Sequence, residues 1–132
     1  IINNLSLLKG KTPEIIDCKI IREDSNLAMS SRNSRLKVKE LKAAASIFKA
    51  LKFAEKEVKV FTASPAALIQ EMKSIINSTG LIKVEEITFA FSDNLDIISD
   101  PDFPLDHYNK KVHCFISAYA GDIRLIDNHF IC

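Results

Sequence analysis

The 132-residue chain predicts an α+β fold, a small antiparallel three-stranded sheet with helices packed against it. Three observations carry that expectation. Two apolar stripes stepping at three or four residues lie between 37 and 80, and three β-rich runs follow between 81 and 126. Gly121-Asp122 joins the last two runs as a tight hairpin. Helical patterns grouped ahead of strand patterns suit a sheet covered by helices, whereas strict alternation would have suited parallel βαβ units.

Ahead of this unit, residues 2–8 read as the last turns of a helix with Gly10 as its stop. Pro13 then resets the backbone for a β-rich run over 15–21. Two elements cannot enclose a core, so this segment reads as the last helix and strand of a truncated α/β domain. The predicted division is 1–23 for that tail and 24–132 for the second domain, with Asp24-Ser25-Asn26 as the hinge. The missing initiator Met agrees with a fragment.

In the second domain, a helix is expected over 37–57, with Leu41, Ala44, Phe48, Leu51, Glu55 and Val58 along one stripe and Ile47 and Ala54 widening it. Lys42, Lys49, Lys52, Lys56 and Lys59 form a second stripe beside it. A further helix starts at Ser64 as N-cap with Pro65 at its first position, carries Leu68, Met72, Ile75 and Ile76 inward, and closes at Gly80. Strands are expected over 81–91, 112–120 and 123–126, with a polar loop through Asp100-Pro101-Asp102-Phe103-Pro104 at the surface.

Apolar residues make up 47% of the chain and the net charge is +1, which fits a soluble globular protein and argues against a disordered chain or a dedicated polyanion binder. No run approaches the roughly 20 apolar residues of a membrane span, and residues 1–9 lack the pattern of a signal peptide. Cys18, Cys114 and Cys132 show no zinc or redox spacing. Cys18 and Cys114 fall inside apolar strand patterns and are expected in the core, in a reduced, cytoplasmic protein.

The stretch that suggests chemistry is Leu27-Ala28-Met29-Ser30-Ser31-Arg32-Asn33, preceded by Ile21-Arg22-Glu23. Two hydroxyls and a guanidinium ahead of a helical pattern suit phosphate oxygens, which accept hydrogen bonds from hydroxyls, backbone N–H groups and a planar fork of donors. The plainer reading makes Ser30, Ser31 and Asn33 turn and N-cap residues. A serine nucleophile is rejected, because neither serine sits in a Gly-x-Ser-x-Gly elbow and no base is identifiable.

These residues resemble the hallmark segment of the pantothenate synthetase (pantoate–β-alanine ligase) family, usually Val-Arg-Glu-x-Asp-Gly-Leu-Ala-Met-Ser-Ser-Arg-Asn. A second match, Gly121-Asp122-Ile123-Arg124-Leu125-Ile126-Asp127-Asn128, is similar to the family's closing Gly-x-x-Arg-Leu-Ile-Asp-Asn. The resemblance covers nearly all of this chain but not all of such an enzyme. It implies that residues 1–23 end a doubly wound nucleotide-binding domain and that 24–132 form the C-terminal lid. It also implies the reaction. ATP, with its Mg²⁺, and pantoate give pantoyl adenylate and pyrophosphate; β-alanine then attacks, releasing pantothenate and AMP. Met29, Ser30, Ser31 and Arg32 would contact ATP, with Ser30, Ser31 and Arg32 the catalytic set, and Ile21 would meet the nucleotide through its main chain. The family's His-x-Gly-His segment and its substrate-holding glutamines belong to a domain this chain lacks. The fragment is therefore expected to be inactive alone, and the full enzyme is expected to be a homodimer without nucleic-acid or membrane partners.

One departure concerns the usual Asp-Gly, here Ser25-Asn26; if the hinge needs a positive φ, Asn is the least costly replacement for Gly. Arg124 and Asp127 are expected in a structural ion pair or a domain interface. His113, alternating along a strand, is expected to be structural. Asp93, Asp96, Asp100 and Asp102 lack an EF-hand's spacing and read as solvated loop carboxylates, so no metal site is expected. The rival function is a non-catalytic module using the lysine stripe to hold RNA or a protein partner. Lysine plus arginine (18) and aspartate plus glutamate (17) are nearly balanced over the chain, which favours a solvated helix face instead.

Overall fold

The computed structural model describes Glu14, Ile16 and residues 18–132, so the helix end expected over 2–8, with Gly10 and Pro13, lies outside the described residues. Helix α1 spans Val38–Val60. It starts where the Glu40 carboxylate turns back to accept the Lys37 N–H at 2.8 Å, satisfying a donor that the helix itself leaves free. Ala44, Ile47, Leu51, Ala54 and Val58 are buried along its length, as the stripe requires. The helix runs one turn past the expected end because Val58 remains on the buried stripe, while Lys59 reaches back to Glu55 at 2.6 Å.

Helix α2 spans Pro65–Asn77, with the Ser64 hydroxyl accepting the Ala67 N–H and Gly80 closing the segment at φ +66°. Met72 and Ile76 are fully buried, so Met72 is core filling as expected.

Strands β1 (Ile82–Phe91), β2 (Val112–Ala120) and β3 (Ile123–Phe130) form one antiparallel sheet in the order β1-β2-β3. Gly121, at φ +56°, and Asp122 make the two-residue turn, since Ala120 pairs directly with Ile123. The first strand carries a bulge. Val84 faces Ala118 and Glu86 faces Ser117, leaving Glu85 over. That extra residue reverses the parity of the strand, so Ile82 and Val84 face the same side as Ile87 and Phe89. The common face also holds Cys114, Ile116, Ala118 and Leu125, all buried. Against it lie the two helices, α2 mostly over β1 and α1 reaching β3. The core sits between these two layers.

The loop after β1 exposes Asp100, Pro101, Asp102 and Phe103, as expected. Beyond them the chain dips inward. Leu105 is fully buried in a 3-10 turn (Leu105–His107), and its N–H donates to the Ala63 carbonyl at 3.0 Å.

Two expectations are corrected. Residues 18–21, read as the end of a buried strand, have no strand structure, and Ile16, Ile20 and Ile21 are exposed. Cys18, expected in the core, is exposed as well, whereas Cys114 is buried and its thiol is pushed far up by that burial. The physical reason is that a strand exists only when it is paired. Among the described residues no strand pairs with this segment, so its apolar composition has no sheet to enter.

Candidate functional site

The segment 21–36 folds back on itself before α1 begins. Arg22 and Ala28 form an isolated antiparallel bridge, the Glu23 N–H donates to the Leu27 carbonyl at 2.9 Å, and the Met29 N–H to the Ile21 carbonyl at 2.9 Å. The reversal is made by Glu23-Asp24-Ser25-Asn26, closed by the Asn26 N–H donating to the Glu23 carbonyl at 2.8 Å. Asn26 has φ 70°, the conformation that a turn followed by a bulge demands. The condition stated for this position is met: the backbone has a positive φ, and Asn stands there in place of the Gly usual in the resembling motif.

Ser30 then caps a 3-10 turn, Ser31–Arg35, its hydroxyl oxygen accepting the Arg32 N–H at 3.2 Å. The plainer reading of Ser30 as an N-cap is thus a fact of the structure. The role is compatible with ligand binding, since the hydroxyl proton is not consumed by accepting. Asn33 is buried, and its amide donates to the Ala28 carbonyl at 3.0 Å and the Glu23 carboxylate at 3.2 Å. Met29, Ser31 and Arg32 project to the exterior, and Ile21 is also exposed. The Ser31 hydroxyl and the Arg32 guanidinium have no side-chain partner among the described residues.

The two sequence motifs meet in space. Asp127 lies on the inner face of β3, opposite Ile116, and is buried. Its carboxylate receives a two-pronged pair from Arg22, Nη1 to Oδ2 at 2.6 Å and Nη2 to Oδ1 at 3.0 Å. The same guanidinium lies 3.7 Å over the Phe48 ring and donates to the Asn26 carbonyl at 3.1 Å. Asp127 is therefore half of a structural ion pair, one of the two roles expected for it, with a partner the sequence did not name. Between the loop and β3 lies a recess of about 210 Å³, walled by Met29, Ser30, Arg32 and Asn33 on one side and by residues 124–127 on the other. Ile21 and Ser31 stand outside that wall. The Asn33 Oδ1, buried at the recess, accepts no hydrogen bond from the described residues.

Other candidates fall elsewhere. Arg124 pairs with Glu85 at 2.6 Å across the outer face of the sheet, a surface ion pair. His113 Nδ1 sits 2.7 Å from the Ser92 hydroxyl, and burial holds its pKa below the usual value, in keeping with a structural role. In the lysine stripe, Lys52 and Lys59 both pair with Glu55, which also meets His129 Nε2 at 2.7 Å. Asp93, Asp96 and Asp100 accept hydrogen bonds from their own loop, at Asn94, Asn94 and Asp102 respectively. Among the described residues no three His, Cys, Asp or Glu side chains are grouped to hold a metal ion, and no helix is long and apolar enough to cross a membrane.

Residue-type reasoning pointed to the hydroxyls and Arg32. It assigned nothing to Arg22 or Glu23 and read Asn33 only as a turn or capping residue, whereas all three build the frame beneath them. The available signal was that all three lie inside the motif, while the partner of Arg22 is 105 positions away.

Comparison with known proteins bears on the family and the fold. The family model described as pantoate-beta-alanine ligase matches residues 1–130. The pantothenate synthetase of Cytophaga hutchinsonii is 38% identical over 117 residues, spanning 87% of this chain and 39% of that protein. That of Leptospira interrogans is 31% identical over 115 residues, 87% of this chain and 38% of its own length. Among solved structures, pantothenate synthetase from Thermus thermophilus superposes with a TM-score of 0.83 at 19% identity, covering 98% of this chain and 44% of the other. The pantoate-beta-alanine ligase of Francisella tularensis, complexed with beta-gamma ATP and beta-alanine, gives 0.61 at 25% identity, covering 98% and 38%. The chain thus spans about two-fifths of the curated relatives it matches, and these matches favour a ligase family over a free-standing RNA-binding module. With two motifs, one fold and a family match over nearly all its length, the chain belongs to the pantoate–β-alanine ligase family.

Proposed function

We propose that this chain is the C-terminal part of a pantothenate synthetase and supplies its lid and phosphate-binding loop. The pantoate carboxylate attacks the α-phosphorus of ATP, and the bond to the β-phosphate breaks. Pyrophosphate leaves and pantoyl adenylate remains. The β-alanine amine then attacks the acyl carbon, expelling AMP. The observation that carries the loop's role is the exposed Arg32 guanidinium, without a side-chain partner among the described residues, beside the Ser30 and Ser31 hydroxyls on a loop tied to the sheet. Such donors stabilise charge moving onto departing pyrophosphate, and no covalent step on serine is required. Mg²⁺ enters with the nucleotide, and Ile21 offers only its main chain to the nucleotide. Pantoate and β-alanine bind mainly to the part of the enzyme outside this chain, and the full enzyme acts as a cytoplasmic homodimer.

The test is Arg32→Ala in the full-length enzyme. Losing one such donor typically costs about 3–4 kcal/mol, on the order of a hundred- to a thousandfold in rate. Pre-steady-state pyrophosphate release should slow by that factor, while β-alanine attack on supplied pantoyl adenylate changes much less. Arg32→Lys should recover part of the loss, because an ammonium keeps the charge without the fork. An unchanged first step, or both steps slowed alike, would return Arg32 to a hinge or capping role.

A further inference from the structure

The loop's donors are presented by groups that do not themselves face outward. Arg22 stacks on Phe48 of α1, grips Asp127 of β3 with both prongs and holds the Asn26 carbonyl at the turn. Its side chain is only 15% exposed and that of Asp127 only 3%, so the pair is largely withdrawn from water, where charge pairing is strongest and least screened. Next to it Glu23 receives the Asn33 amide at 3.2 Å, just past the Ser30-Ser31-Arg32 segment. The loop therefore leaves the Arg22 anchor, turns at Asn26, and is caught again at Asn33. Ser30, Ser31 and Arg32 lie between two fixed points. An ion pair placed for stability alone needs no contact with the turn, and this one holds the Asn26 carbonyl, while the neighbouring Glu23 holds the loop at Asn33.

We propose that Arg22, locked by Asp127, is a positioning residue for adenylation. It acts through the loop by setting where Arg32 and the serine hydroxyls stand relative to the nucleotide phosphates. This inference rests on the loop role proposed above. It makes the closing motif a working part of the phosphate site through its ion pairs: Arg124 is taken up by Glu85, and Asp127 by Arg22. Both prongs of the fork and the Asn26 contact are needed together. A lysine, a single rotatable point charge, cannot supply all three.

The experiment is a double-variant cycle in the full-length enzyme, with each half-reaction measured separately. Arg22→Lys should slow pyrophosphate release by roughly ten- to a hundredfold, the usual penalty for misplacing catalytic groups by a fraction of an ångström to an ångström. β-Alanine attack on supplied adenylate should hold within about threefold, since that step has no pyrophosphate to stabilise. Added to Arg32→Ala, the same Arg22→Lys change should cost clearly less than it does alone, because the charged donor it positions is already gone and only the serine hydroxyls remain to be misplaced. Asp127→Asn should copy Arg22→Lys; if it fails to fold, the lysine variant still decides the matter. Additive losses in the cycle, equal slowing of both half-reactions, or intact pyrophosphate release in Arg22→Lys would each overturn the positioning role. The two proposals separate cleanly. If Arg32→Ala alone has no effect on adenylation, the loop's phosphate role fails. If it is damaging but additive with Arg22→Lys, only the positioning role fails.

Discussion

Asn26 shows how one backbone angle constrains one side chain. At φ 70° an ordinary L-residue pays about 1–2 kcal/mol, which Asn partly escapes through its short polar side chain and which Gly escapes altogether. Asn26→Gly removes that cost but loosens the unfolded chain by about 0.4–1 kcal/mol, so its unfolding midpoint should stay close to wild type. Activity of the full-length enzyme should also stay within about tenfold, equivalent to 1.4 kcal/mol of barrier, because only the Asn26 main chain contacts Arg22. Asn26→Ala should instead destabilise by about 1 kcal/mol in urea unfolding. A large loss of activity in Asn26→Gly would show that the amide side chain acts on a partner outside this chain.

Strand β1 and helix α1 each carry one feature that the apolar pattern alone does not explain. In β1 it is Glu85, the bulged residue that keeps Ile82, Val84, Ile87 and Phe89 on one face. Deleting Glu85 forces one of these pairs into solvent, so near-UV signal and cooperative unfolding should both be lost. Glu85→Gln keeps the bulge and merely weakens an exposed pair with Arg124, and should unfold near the wild-type midpoint. In α1 the feature is Glu55. Lys52 and Lys59 beside it, with His129 from β3 adding a further hydrogen bond, hold its carboxyl at about 2, below the ordinary 4.5. A folded-state pKa below the unfolded one stabilises the fold above the unfolded value, and that contribution disappears as pH falls toward the folded value. Stability owed to Glu55 should therefore be full at neutral pH and lost between about pH 4.5 and 2. Urea midpoints across that window should fall less steeply in Glu55→Gln than in wild type.

Taken as one body, the two-layer domain is a carrier for an exposed loop. Its helices and sheet enclose a complete core, yet the candidate phosphate donors lie outside that core, and the recess of about 210 Å³ that they form with residues 124–127 is smaller than the roughly 300–1,000 Å³ of ordinary ligand pockets. The chain spans about two-fifths of its curated relatives. By itself it should therefore make no pantothenate from ATP, pantoate and β-alanine; ligase activity above a blank from purified chain would contradict that expectation. The fold should nonetheless unfold cooperatively in urea, because burial between the helices and the sheet does not depend on the nucleotide.

Much of this molecule was written in local sequence. Hydrophobic period, the Ser64-Pro65 start, Gly80 and Gly121-Asp122 placed both helices and the hairpin, since each depends on neighbours within a few residues. The motif likewise singled out Ser30, Ser31 and Arg32 as candidates, and Ser30 as a cap is local too, since its hydroxyl accepts the Arg32 N–H two residues on. What lay beyond local sequence was everything set by pairing. Residues 18–21 have strand composition, but among the described residues no strand pairs with them, so Cys18 is exposed where the pattern placed it inside. The bulge at Glu85 is a matter of register against β2, which no single strand reveals. Asp127 looked like one charge on a terminal strand. Its role emerges only when folding brings it to Arg22, 105 positions earlier, because a buried carboxylate must find its counter-charge wherever the chain passes.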